Sequence, residues 1–81
     1  YPNPFNPVTT IHFTVGQSIG KVVELTIYDI NGRLVELLVN EELRPGEYQI
    51  KWDGVNQPSG IYIARLKLGK NEYSQKIMLL K

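Results

Sequence analysis

Period-2 alternation of apolar and polar side chains, turn signals roughly every 8 to 12 residues, and no sustained helical periodicity together predict an all-β protein. At 81 residues the chain has room for one domain. Short strands at this spacing point to an immunoglobulin-like antiparallel β-sandwich of about seven strands.

Residues 1–8 read as a Pro-rich leading segment and residues 9–81 as the sandwich. Tyr1-Pro2-Asn3-Pro4-Phe5-Asn6-Pro7 carries three prolines, which fix φ and push each preceding residue towards extended geometry. The segment cannot be helix, and it adds a seventh strand only by pairing with a sheet edge. The one methionine is Met78, so the chain opens without an initiator, in linker-like sequence. The expectation is a module from the end of a larger protein.

Residues 9–15 alternate Ile11, Phe13 and Val15 with Thr10, His12 and Thr14, a strand with one wet face. Residues 16–20 are a turn, and residues 22–28 set Val23, Leu25 and Ile27 against Glu24 and Thr26. Asp29-Ile30-Asn31-Gly32 is the clearest hairpin signal, because Asn-Gly suits the left-handed positions of a tight turn. Residues 34–39 return as a strand, and residues 41–46 form a polar loop ending in Pro45-Gly46. Residues 46–52 place Tyr48, Ile50 and Trp52 on one face. A second loop follows over residues 53–59, then a long strand over 60–68, a turn at Gly69-Lys70-Asn71 and a last strand over 72–80. The core is expected from Phe13, Leu25, Ile27, Tyr48, Trp52, Tyr62 and Leu66.

Composition narrows the function classes. Hydrophobic residues make up 42% and aromatics 10%, which favours a folded core over disorder. A domain this small buries roughly 60–65% of its unfolded surface, so its stability is modest. With no Cys, the chain has no disulfide, thiolate chemistry or Cys-ligated zinc. No stretch approaches the roughly 18 apolar residues of a membrane span. The net charge of +1 is unevenly spread. Between Val22 and Asp53 seven acids face Arg33, Arg44 and Lys51, while after Gly54 five bases face Glu72 alone. A basic C-terminal quarter could meet an anionic partner, but strands that pair acidic with basic residues would cancel the imbalance.

Reactive chemistry finds little support. His12 is the sole His and sits on a wet strand face without partners nearby in sequence. Ser18, Ser59 and Ser74 lack a Gly-x-Ser-x-Gly setting. A calcium loop counted from Asp29 would need Asp or Asn fifth, Gly sixth and Glu twelfth, yet those positions are Arg33, Leu34 and Asn40. Glu41 and Glu42 lie in a charged loop with no apolar pocket to separate their pKa values. No catalytic residue, metal site or cofactor is expected. Bases interleaved with Tyr62 and Tyr73 carry no nucleic-acid motif. Trp52 and Tyr48 could stack on sugars, but sharing a face with Ile50 suits burial better. Tyr1, Tyr28 and Tyr73 are the better candidates for a binding platform.

An ordered series of short motifs carries a resemblance. Asn3-Pro4-Phe5-Asn6-Pro7-x-Thr9, Ile27-Tyr28-Asp29, Gly32-Arg33-x-Val35, Gly46-x-Tyr48, Trp52-Asp53-Gly54, Ser59-Gly60-x-Tyr62, Arg65-Leu66, Lys76 and Lys81 follow one another over the whole chain. In this it resembles the type A C-terminal sorting domain of type IX secretion substrates. It is also similar to the immunoglobulin-like domain of the flagellar hook-capping protein, which shares the Trp-Asp-Gly and Ser-Gly-x-Tyr segments. One departure is the short Val55-Asn56-Gln57-Pro58 link between the last two motifs, where the family often has a longer loop.

The resemblance implies a non-catalytic, secreted or cell-surface address for an N-terminal cargo, travelling by way of the periplasm. Its partners would be an outer-membrane translocon and a surface sortase that removes the domain and joins the cargo to anionic lipopolysaccharide. Arg33, Lys76, Leu79, Leu80 and Lys81 are the candidate recognition residues, since a translocon must read something exposed and shared among unrelated cargos. Strand addition at the last strand is the expected mode. The alternatives are a structural or carbohydrate-binding accessory module of a polysaccharide-degrading enzyme, and a hook-cap-like assembly domain.

Overall fold

The computed structural model describes residues 7–16 and 22–80. The alternating segments become six strands: β1 (Val8–Val15), β2 (Val22–Asp29), β3 (Leu34–Glu42), β4 (Gly46–Asp53), β5 (Gly60–Leu68) and β6 (Asn71–Leu79). Every pairing is antiparallel. β1 pairs with β4 in a two-stranded sheet, and the other four make a sheet ordered β3-β2-β5-β6.

Both sheets turn one apolar face inwards, which makes the all-β antiparallel sandwich. Ile11, Phe13 and Val15 of β1 and Trp52 of β4 pack over Val23, Leu25 and Ile27 of β2. Val39, Tyr62, Ala64, Ile77 and Leu79 complete the buried set. Register enforces this, since a one-residue slip would turn each apolar set out to water. Of the expected core, Phe13, Leu25, Ile27, Trp52 and Tyr62 are buried, whereas Tyr48 and Leu66 are half-buried. Two strands cannot cover four, so the margins of the larger sheet stay partly wet.

Local chemistry differs from expectation at three places. At the β2–β3 hairpin only Gly32 is left-handed, at φ 82°, and no described non-Gly residue has positive φ. The Gly32 N–H donates to Asp29 C=O and the Asp29 N–H to Arg33 C=O, the pattern of a type I turn followed by a left-handed glycine. Asn31 is spared the left-handed cost that a two-residue Asn-Gly turn would impose. Secondly, β3 runs on to Glu42 because Val22 and Val23 pair with Glu42 and Glu41. Backbone pairing with β2 outweighs the polar side chains there, which remain exposed at the sheet edge. Thirdly, β6 spans Asn71 to Leu79, with Leu68 opposite Asn71. That leaves Gly69, at φ 62°, and Lys70 as the loop, a Gly-first two-residue turn.

The seventh strand considered for residues 1–7 concerns mainly residues 1–6, and the turn over 16–20 mainly residues 17–20; residues 1–6 and 17–20 lie outside the described residues. The charge imbalance is largely interleaved by pairing, since register sets Glu24 opposite Lys67 and Lys67 opposite Glu72. Arg65 Nε also lies 3.8 Å from Glu72, within ion-pair reach but too far for a hydrogen bond.

Candidate recognition surface

Antiparallel pairing gathers most of the motif series at one end of the sandwich. β1, β3 and β5 begin there, and β2, β4 and β6 finish there. Asp29, Arg33, Asp53, Gly54, Ser59, Tyr62 and Leu79 therefore become neighbours in space although 50 positions separate the outermost two.

Asp29 organises the hairpin. Its Oδ1 accepts the N–H groups of Asn31 and Arg33, each at 2.9 Å, and its Oδ2 lies 3.3 Å from Arg33 Nε. The Arg33 backbone N–H above all, then those of Asn31 and the guanidinium, hold the carboxyl below its ordinary value against the opposing effect of desolvation. The Arg33 side chain nevertheless stays 83% exposed. It borders a shallow cleft of about 180 Å³ between the hairpin and the second loop, lined also by Pro58, Ser59, Ile61 and Tyr62.

The Trp-Asp-Gly segment locks this end. Trp52 is fully buried and meets the Tyr62 ring edge-on at 5.1 Å. Asp53 Oδ1 accepts the Val55 N–H at 3.0 Å, shaping the loop. Gly54 lies so close to Leu79 that an added Cβ would sit 2.9 Å from Leu79 Cδ2 and 3.3 Å from Trp52 Cη2. Its N–H donates to Pro7 C=O at 3.0 Å, which ties the start of β1 to the same point.

The candidate recognition residues thus divide. Leu79 is in the core, 1% exposed, so its side chain offers no surface. Leu80 is exposed, and Lys76 is exposed on β6 opposite Ile63. Lys81 lies outside the described residues. Pairing aligns Leu34, Tyr28, Ile63 and Lys76 in one row across the outward face of the four-stranded sheet, with Arg33 one residue before Leu34. Arg33 and Lys76 therefore flank one surface, whose middle is apolar and extends to exposed Met78 opposite Ile61.

Of the other candidates, Tyr28 is half-covered by Arg65, whose guanidinium stands 4.7 Å from its ring centroid. Tyr73 is exposed, and Tyr1 lies outside the described residues. His12 is exposed on β1 opposite Gln49. No group of three potential metal ligands occurs among the described residues, nor any helix long and apolar enough to cross a membrane. The sequence reading missed the use of two tyrosine hydroxyls. Tyr48 donates to Arg44 C=O and Tyr62 to Pro58 C=O, each four residues upstream. The repeated Gly-x-Tyr at 46–48 and 60–62 was the available signal.

Comparison with known proteins adds one finding. The family model described as secretion system C-terminal sorting domain matches residues 1–80. No curated protein and no solved structure matches the chain.

Proposed function

The chain belongs to the secretion system C-terminal sorting domain family, and from that premise we propose that it carries an attached N-terminal cargo through the outer-membrane translocon of type IX secretion. A C-terminal sorting signal implies export of its cargo, to the cell surface or beyond. Passage through the periplasm, removal of the domain by a surface sortase and anchoring of the cargo to lipopolysaccharide belong to the proposal.

The observation that carries this reading is the family match along almost the entire chain. The geometry adds a physical rationale. A signal shared by unrelated cargos has to be a rigid surface that the cargo does not alter. The outward row from Leu34 to Lys76, flanked by Arg33, meets that need because both flanking charges stand on paired or hydrogen-bonded backbone. Arg33, Lys76, Leu80 and Lys81 are the residues proposed to be read. Leu79 acts beneath them by packing the end of β6 against Gly54 and Trp52. The domain is a substrate of the export and cleavage steps and performs no chemistry itself.

The test is a cargo assay. A fluorescent protein with a periplasmic signal is fused to residues 1–81 and expressed in a type IX-competent host and in its translocon-null sibling. Surface or medium fluorescence in the first and periplasmic retention in the second are expected. Equal retention in both overturns the proposal and moves the glycan-binding and assembly readings forward.

A further inference from the structure

The sandwich is unequal, and its uncovered margin has a definite shape. Inward positions of β6 are buried at Ile77 and Leu79 but exposed at Tyr73 and Gln75, which stand opposite Leu66 and Ala64. Beside them, Leu66 and Leu68 of β5 are only half-buried. This leaves a groove of about 330 Å³, floored by Leu66, Leu68, Tyr73 and Gln75 and walled by β1 at residues 11–14. β4 takes one side of β1. Along residues 11–14 no described strand takes the other, so alternate backbone N–H and C=O groups border the groove.

Among the described residues four strands stand at sheet edges, and three of them are guarded. β3 is broken by two register shifts and carries Glu36, Glu41 and Glu42. β4 carries Glu47, Lys51 and Asp53, and β6 carries Glu72 and Lys76. Bulges and edge charges are the usual means of preventing strand addition. β1 has neither: it pairs with β4 in unbroken register, and its sequence VTTIHFTV contains no Asp, Glu, Lys, Arg or Pro. An unbulged, β-branched edge without Asp, Glu, Lys or Arg beside an apolar floor is a seat for a further strand.

We propose that this groove receives one extended segment of a partner protein, added to β1 as a third strand of the small sheet. Its alternate side chains, facing Leu66, Leu68 and Tyr73, are apolar and uncharged, since no Asp, Glu, Lys or Arg among the described residues lines the groove. A second copy of this chain does not fit. Residues of β5 and β6 line the groove beside the β1 edge, so a copy offering its own β1 would bring its own β5–β6 floor into the same space. A lone strand carries no such floor. The inference rests on the sorting reading only for where the partner is met; the strand chemistry comes from the groove.

The probe is a synthetic peptide with the sequence of β1, VTTIHFTV, which has the alternation without a sandwich behind it. Titrated into the isotope-labelled 81-residue chain, it is expected to slow amide exchange at alternate positions within residues 11–14 by about tenfold or more. Tyr73→Lys changes a side chain that is already 55% exposed. It should keep the thermal midpoint and weaken peptide binding by about tenfold through an inward-facing charge. A peptide N-methylated at alternate backbone nitrogens should not bind. Equal binding of the methylated peptide, or protection centred on the outward face around Tyr28, overturns the proposal, as does chain dimerisation through β1. In the cargo assay, reduced delivery of folded Tyr73→Lys fusion supports it. Unchanged delivery that still requires the translocon refutes the groove and leaves the sorting reading standing. Loss of translocon dependence in the parent fusion refutes the sorting reading, and peptide binding then judges the groove alone.

Discussion

Tyr48 and Tyr62 show how a short motif can be structural before it is functional. Each stands two residues after a glycine with φ near the extended limit, 153° at Gly46 and 156° at Gly60, and each sends its hydroxyl back to a carbonyl four residues upstream. The Tyr62 ring is buried in the sandwich and the half-buried Tyr48 ring stacks on Phe13, while each hydroxyl holds the incoming loop. Tyr62→Phe should cost about 1 kcal/mol in urea unfolding, because it leaves a partly buried carbonyl without its donor. At the more exposed Tyr48 water replaces the hydroxyl, and the same change should cost about half as much or less. Asp29 gives a pH test. Its folded pKa is depressed below the ordinary 3.8. The stabilisation is thus fully present at neutral pH, begins to decline as pH falls below the ordinary carboxylate value and is gone once pH lies below the depressed one. Asp29→Asn should flatten this acid limb of stability, and carboxyl titration by NMR should place the Asp29 midpoint below 3.8. An unshifted midpoint would contradict the hydrogen-bond arrangement.

At the scale of the element, the last strand holds two roles on alternate residues. Leu79→Ala removes a buried side chain packed on Gly54 and Trp52 and should cost about 2–4 kcal/mol. Leu80→Ala, at an exposed position, should stay within about 0.5 kcal/mol. Paired chemical-denaturation curves check both. Deleting Leu79, Leu80 and Lys81 together would mix lost packing with lost recognition, so Leu80→Ala and Lys76→Ala are the cleaner probes of a terminal handle. Alternation made every strand legible in the sequence to within a few residues. The extent of β3 was not, because Glu41 and Glu42 are held by backbone pairing to β2, which side-chain polarity does not report.

For the whole molecule, the pairing of β1 with β4 joins Val8 to Asp53 across the sequence, and the larger sheet joins Val23 to Leu68. Contacts this remote require loop closure before they stabilise anything, so folding should take milliseconds to seconds. Trp52 is the sole tryptophan and fully buried, a natural probe of this step. Its emission should shift to the red on unfolding and recover in a single exponential during stopped-flow refolding. A submillisecond recovery would mean that local structure, not the remote pairing, limits assembly.

The sequence by itself determined the fold class, the strand set, most of the core and the family, since period-2 alternation and ordered motifs are local signals that survive without coordinates. Which strands became neighbours was a different matter. Pairing partners β1 with β4 and β5 with β2 are chosen by how whole apolar faces cover one another, and no window of sequence contains both faces. Only the tertiary structure therefore sent Leu79 inwards while leaving Leu80 outside, aligned Arg33 and Lys76 about one apolar row, and left two strands over four. That last inequality, set by the number of faces available for burial, is what opens the groove beside β1.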